Sequence, residues 1–328
     1  MSISPLLLRR WELFSHFSDP QLELLAERVE RLRVDTGGSV LREGEPSLGA
    51  YLIESGDVSI ARNTPYGRFE LATLGPGELF GETSFVDGHA RSGSATATTE
   101  SSLLAFHPEA VAPALEADPK LYLSLYWAFW KSLSQKLRST NDTLTRFFSS
   151  SGKAASAPLE AAAAAGGTFR VDLASKRKLF QEQKLSNLEI NFLSSLSKEK
   201  KLAANQVLFR EGDLGDSMYI VLEGRIMISK FIPGAGEEAL AFLDRGDYFG
   251  EMALIDNQPR SADAKAHDGE AVVLAIPREV LEGILDIHRL SSHNLLKILC
   301  TLVATRLREL DDKIIGWFIL AGGSGGRG

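Results

Sequence analysis

Only one of the 328 residues is cysteine, Cys300, so no internal disulfide can form and no cysteine set has zinc spacing. That scarcity fits a reducing compartment, and a cytoplasmic location is expected. The six histidines (His16, His89, His107, His267, His288 and His293) show no ligand spacing, so no metal site and no catalytic cofactor is expected. Long apolar runs are missing too. The stretch Leu121–Trp130 ends at Lys131, well short of the roughly 18–20 residues of a spanning helix. In Met1–Arg10 the arginines follow the leucines, which is the wrong order for a signal peptide. Positive charge is also in deficit, with 36 Lys and Arg against 43 Asp and Glu, a net charge of −7. Such a chain lacks the basic face that neutralises nucleic-acid phosphates. Local runs such as Lys176-Arg177-Lys178 read as solvated helix faces. Neither a nucleic-acid nor a membrane partner is expected.

What the chain does contain is a repeat. Residues 41–60, LREGEPSLGAYLIESGDVSI, align with 209–228, FREGDLGDSMYIVLEGRIMI, at an offset of 168. Glu43-Gly44 matches Glu211-Gly212, Tyr51 matches Tyr219, and Gly56 matches Gly224. Further on, FGETSFVDGHARS at 80–92 matches FGEMALIDNQPRS at 249–261, now offset by 169. The extra residue falls in the intervening hairpin, where an insertion costs least.

Each copy opens with a helical pattern, at 20–26 after an Asp19 cap and at 186–196. Short strand-like runs follow, such as AYLIES, DVSIA and FELATL, punctuated by glycine. Each copy then returns to helix at 108–115 and 118–148, and at 277–287 and 290–314. The expected fold is mainly β with flanking helices: two jelly-roll barrels, each followed by a long helix. The expected layout is a first module at 1–148, a linker rich in Ala, Ser and Gly at 149–172, a second module at 173–313, and a tail at 314–328. The apolar part of that tail, Ile314–Leu320, either packs on the second module or docks a partner.

The chemistry concentrates in Phe80-Gly81-Glu82 with Arg91-Ser92, and in Phe249-Gly250-Glu251 with Arg260-Ser261. A glycine at the end of a strand admits a close ligand and unusual backbone angles. A helical turn after it offers free amide hydrogens to an anion. An arginine downstream can lay its fork of donors on the two exocyclic oxygens of a phosphate. The glutamate only accepts, so it suits a sugar hydroxyl rather than the phosphate. A single copy is as compatible with a turn and a surface ion pair. Two copies at one spacing point to a ligand carrying both an anion and a sugar.

Both segments resemble the phosphate-binding cassette of cyclic nucleotide-binding domains, as in the regulatory subunits of cyclic-AMP-dependent protein kinase and the bacterial catabolite activator. The resemblance implies that Gly81, Glu82, Thr83, Ser84, Arg91 and Ser92 hold cyclic phosphate and ribose in the first copy. Gly250, Glu251, Met252, Ala253, Arg260 and Ser261 would do so in the second. The first copy departs from the pattern at Thr83-Ser84 and at Ala90, where the second has Pro259, which implies a looser loop. In this family the helix after the barrel closes over the base. Thr140 and Asn141 are the corresponding base contacts in the first copy, and Leu310 and Asp311 take those places in the second. Ser92 and Ser261, in place of threonine, favour cyclic AMP by the same resemblance. Asp311 could instead accept from guanine N1 and N2 hydrogens, which would favour cyclic GMP, or belong to a charged helix face.

Tyr126, Trp130, Leu133, Leu137, Thr140, Leu144 and Phe147 recur at steps of four and three. This stripe is either a homodimer seam through the helix at 121–148 or a face packed on its own barrel. Too few residues follow the second long helix for a helix-turn-helix, and no kinase or P-loop signature is present. The expected function is therefore a non-enzymatic cyclic-nucleotide sensor that relays its ligand state to an unidentified effector protein by rearranging these helices. The alternative is an interaction protein with degenerate sites.

Overall fold

The computed structural model of the chain describes residues 3–46, 49–149, 170–232, 236–285, 293–320 and 322. Most of the expected linker, from 150 to 169, lies outside them, as does the glycine-rich end after 322. In chain order the first copy contains α1 (Pro5–Arg9), α2 (Asp19–Ala26), β1 (Glu30–Val34), β2 (Ser39–Leu41), β3 (Ala50–Ser55), β4 (Val58–Thr64), β5 (Gly67–Leu74), β6 (Leu79–Phe80), α3 (Glu82–Asp87), β7 (Ser94–Ala97), β8 (Ser101–Phe106), α4 (Pro108–Ala117) and α5 (Pro119–Ser149). The second contains α6 (Leu173–Glu182), α7 (Asn187–Leu196), β9 (Lys198–Leu202), β10 (Val207–Phe209), β11 (Ser217–Ile232), β12 (Gly236–Leu243), β13 (Tyr248–Phe249), α8 (Met252–Ile255), β14 (Asp263–Pro277), α9 (Arg278–Ile284) and α10 (His293–Leu320).

The helix before each barrel starts at a serine. Ser18 caps α2 through a capping box with Gln21, and Ser186 caps α7 through one with Glu189. Asp19, expected as the cap, is the first helical residue instead, because proline at position 20 suits the first turn.

The chain divides into two compact units, Met1–Thr140 with Leu296–Gly328, and Asn141–Leu295. Unit boundaries therefore do not follow the repeat: most of α10 belongs with the first barrel, and the end of α5 with the second. In the first unit two antiparallel four-stranded sheets, β1-β8-β3-β6 and β2-β7-β4-β5, enclose the core. Tyr51, Ile53, Phe80 and Leu103 from one sheet meet Leu41, Val58, Leu74 and Ala95 from the other. Each valine, leucine, isoleucine and phenylalanine among them contributes about 1.5–3 kcal/mol on full burial.

The helices complete this unit. Trp130 and Leu133 on α5 and Leu299, Cys300, Val303 and Ala304 on α10 are fully buried. The thiol of Cys300 donates to the Tyr126 carbonyl at 3.2 Å. The α5 stripe thus has a helix of its own chain against it where a second copy was one expectation; the side chain of Phe147 lies outside the described residues. The apolar segment at 314–320 is no separate tail but the last turns of α10. Phe318 packs on Phe69 of β5, with ring centroids 4.7 Å apart, so this segment covers the first barrel, where the second was one expectation.

The second unit carries one continuous sheet of six strands, because β11 and β14 are long enough to serve both of its faces. They bend where their register shifts, between Val221, Glu223 and Arg225. Tyr219, Val221, Ile226, Phe249 and Val273 form its core.

Candidate functional site

In both copies the short strand ends in phenylalanine and the chain turns on a left-handed glycine, Gly81 at φ +80° and Gly250 at φ +75°. A Cβ at Gly81 would stand 2.8 Å from the Gly49 carbonyl oxygen, so glycine is needed for space as well as for angle. The arginine downstream folds back onto this turn. Arg91 donates from Nη1 to the Gly81 carbonyl (2.7 Å) and from Nη2 to the Gly49 carbonyl (2.5 Å). Arg260 does the same with Gly250 (2.5 Å) and Ser217 (2.6 Å).

The backbones of these arginines explain the early Glu-Gly pair of each repeat. Arg91 N–H donates to the Glu45 carbonyl and its own carbonyl accepts from Gly44. Arg260 pairs in the same way with Asp213 and Gly212. Two loops some 47 residues apart are thereby zipped together, and each arginine starts from a fixed base. Both guanidinium groups are buried, and burial lowers their pKa from the ordinary arginine value against the opposing pull of Tyr51 and Glu82, or of Tyr219 and Glu251. Beneath Arg260 lies the ring of Phe209, 4.3 Å from the guanidinium carbon. The aligned residue in the first copy is Leu41.

Glu82 and Glu251 are both buried beside their glycines. Glu82 Oε1 accepts from Ser132 Oγ (2.9 Å) and from Lys136 Nζ (2.5 Å), both on α5, while Oε2 has no hydrogen-bond partner among the described residues. The residues after each glycine begin a helical turn, α3 or α8, whose first amides have no acceptor within the helix. Arg278 closes the far side of the second turn by donating to the Leu254 and Ala253 carbonyls (2.7 and 3.1 Å). There Ser261 Oγ faces Met252 Sδ at 3.8 Å.

A cavity of about 250 Å³ opens over the first turn. Gly81, Thr83, Ser84, Arg91 and Ser92 form one wall; Leu41, Ile60 and Ala72 add apolar surface; Ser132, Lys136 and Thr140 come from α5. Leu307 and Asp311 of α10 line it as well. Thr140 thus stands with the phosphate-type residues, while its neighbour Asn141 is buried in the other unit.

Leu310 and Asp311 require a correction of place. Expected at the second site, they belong to the first unit, where Leu310 is core and Asp311 faces the first cavity. The reason is the anchoring of α10. Arg308 donates to Asp87 Oδ2 (2.7 Å), to the Ala90 carbonyl (3.0 Å) and to Ser84 Oγ (3.2 Å), gripping the first cassette. One turn on, Asp312 pairs with Arg62 of β4, which also holds Glu43 at 3.2 Å.

The second unit contains the equivalent triad. Lys230, aligned with Arg62, binds Glu211 (2.9 Å) and Asp142 (3.2 Å) of α5. Sequence reasoning missed Ser132, Lys136, Leu307, Arg308 and Asp312. The one available signal was that Asp142 and Asp312 occupy matching places in the two long helices, as do Glu43 and Glu211 in the loops.

The cyclic nucleotide-binding domain model matches residues 31–118 and 199–288. The chain is 34% identical over 123 residues to the cyclic AMP receptor protein of Thermus thermophilus, covering 38% of this chain and 55% of that protein. It is 26% identical over 271 residues to a cGMP-dependent protein kinase of Eimeria tenella, covering 83% and 22%. It is 25% identical over 283 residues to a cAMP-dependent protein kinase regulatory subunit of Emericella nidulans, covering 83% and 57%. The chain spans less than two thirds of the length of each of these relatives. Both matched stretches contain the glycine, glutamate and arginine whose geometry repeats, and the chain belongs to the cyclic nucleotide-binding domain family.

Proposed function

We propose that this protein is a non-catalytic sensor with one cyclic-nucleotide site in each repeat. The observation that supports this most is the doubled arginine clamp. Two buried guanidinium groups, 169 residues apart, hold equivalent carbonyls beside equivalent left-handed glycines. In the first site Arg91, Ser92 and the amides of Glu82, Thr83 and Ser84 receive the cyclic phosphate. The carboxylate of Glu82, already oriented by Ser132 and Lys136, takes the ribose hydroxyl. In the second site Arg260, Ser261, Glu251, Met252 and Ala253 have the same roles, and Ser261 favours cyclic AMP there. Binding is relayed to an effector protein through the long helices, since Lys136 and Thr140 of α5 share the first cavity with the cassette.

Calorimetry with cyclic AMP and cyclic GMP tests this on the wild type, Arg91→Ala and Arg260→Ala. Two binding events per chain are expected in the wild type and one in each variant. Absence of heat with either nucleotide would refute the sensor reading.

A further inference from the structure

The two repeats bring the same backbone to the phosphate-type arginine but put different side chains there. In each copy the short strand β2 or β10 shifts register just before its last residue, between Ser39 and Leu41 and between Val207 and Phe209. Such an irregularity re-aims the side chain that follows it. In the first copy that side chain is Leu41, which lines the cavity. In the second it is Phe209, whose ring centroid lies 4.3 Å from the guanidinium carbon of Arg260. The neighbouring rings are common to both copies, since Tyr51 stacks on Phe80 at 5.2 Å and Tyr219 on Phe249 at 5.3 Å. Phe209 is the ring that the first copy lacks, and it stacks on Tyr219 at 5.8 Å.

Arg260 is a cation in need of such a neighbour. It is 5% exposed, and among the described residues it has no carboxylate at ion-pair distance and no hydrogen-bond partner for Nε. Its Nη atoms reach only the neutral carbonyls of Gly250 and Ser217. A buried cation without a counterion is costly and is drawn toward water. The negative face of an aromatic ring offsets part of that cost. Gly215 leaves the guanidinium its space, because a Cβ there would stand 2.8 Å from Arg260 Cζ.

We propose that Phe209 is a positioning residue of the second site, its ring holding the Arg260 guanidinium in place for an anionic ligand before that ligand arrives. This rests on the reading of the second repeat as a nucleotide site. Two of the five N–H donors of Arg260 are spent on carbonyls, and the others stay available to an anion. A leucine in place of Phe209 fills much of the same space but leaves the cation uncompensated, so the arginine spends part of its time turned away. Only the fraction in place binds, and the apparent affinity falls by that fraction. The ring of Tyr219 is a poorer substitute, at 5.7 Å from the guanidinium carbon.

The full chain carrying Arg91→Ala reports the second site alone. Its affinities for cyclic AMP and cyclic GMP are measured with Phe209 replaced by leucine, by tyrosine, and by mono-, di- and trifluorophenylalanine. Fluorine withdraws electron density from the ring face at nearly constant shape, so it weakens the hold on a cation and leaves packing intact. Phe209→Leu should lose about tenfold in affinity. Phe209→Tyr should stay within about twofold of phenylalanine, and affinity should fall stepwise with each added fluorine. The same fluorine series in the Arg260→Ala chain, which reports the first site, should change nothing. Affinity that is flat across the fluorine series, or an equal loss at the first site, overturns the proposal and leaves the nucleotide reading standing. Should Phe209→Leu fail to fold, the fluorine series decides alone. No binding of either nucleotide with Phe209 intact, in a chain that is folded by circular dichroism, overturns the nucleotide reading of the second site and this proposal with it.

Discussion

Arg308 on the last helix donates two hydrogen bonds to Asp87, at 2.7 and 3.2 Å, although 221 residues separate them. The Asp87 side chain is 1% exposed, and its other charged neighbour is His89 at 3.5 Å, which is cationic only when protonated. Removing Arg308 leaves a buried carboxylate with little compensation. Arg308→Ala should therefore destabilise the first unit by about 1–3 kcal/mol. Urea denaturation at neutral pH checks this, and Arg308→Lys should recover only part of the loss because it cannot reach Asp87, Ala90 and Ser84 together.

Arg91 and Arg260 each bridge two carbonyl groups with separate Nη atoms, which a lysine cannot reproduce. Arg91→Lys and Arg260→Lys should each abolish one binding event almost as fully as alanine does. A titration that still shows two events with the lysine variants would contradict the fork geometry.

Gly81→Ala and Gly250→Ala place a Cβ where φ is +80° and +75°. Besides that strain of order 1–2 kcal/mol, the new methyl meets a backbone oxygen at 2.8 Å in the first copy and an arginine Nη1 at 2.7 Å in the second. The backbone is harder to displace, so Gly81→Ala should lower the melting temperature more than Gly250→Ala. Thermal scans of the two variants give the comparison directly.

The pKa of Asp311, raised by burial, predicts a pH-dependent stability of definite sign. Folded protein keeps this proton up to about pH 7, whereas the unfolded chain releases it near 3.8. Between those values the native state holds more protons, so this group's contribution falls as pH rises from about 4 to about 7. Asp311→Asn removes that dependence. The variant should match wild type near pH 4 and exceed it by about 1–4 kcal/mol at pH 8. Chemical denaturation at both pH values, without nucleotide, measures the difference.

The repeat, the glycine turn and the returning arginine were legible because each requires particular residue types at set spacings. A left-handed turn wants glycine, and a two-carbonyl bridge wants arginine. Such local demands survive in sequence as motifs. The destination of α10 was not legible, for a physical reason. Buried positions such as Leu299, Val303 and Ile314 state that one helix face is apolar but not which barrel it covers. The sequence marks Asp311 as a base-edge candidate of the repeat it follows in the chain. Only the Arg308 and Asp312 contacts redirect it, and a single charged residue on a helix looks the same as a solvated one. The segment at 314–320 reads from sequence as a tail of its own, yet Gly316 sits inside a continuous helix with open space where a side chain would be.

The transfer of α10 to the first unit bears on how deletions and fusions of this protein are interpreted. Proximity along the polypeptide and proximity in function are crossed here. Trimming the last thirty or so residues would strip a wall from the pocket around Arg91, leaving the defect some two hundred positions upstream of the cut. A deletion map scored by linear order would blame the second repeat for a loss suffered by the first. The two sites are therefore better isolated by substitution than by truncation.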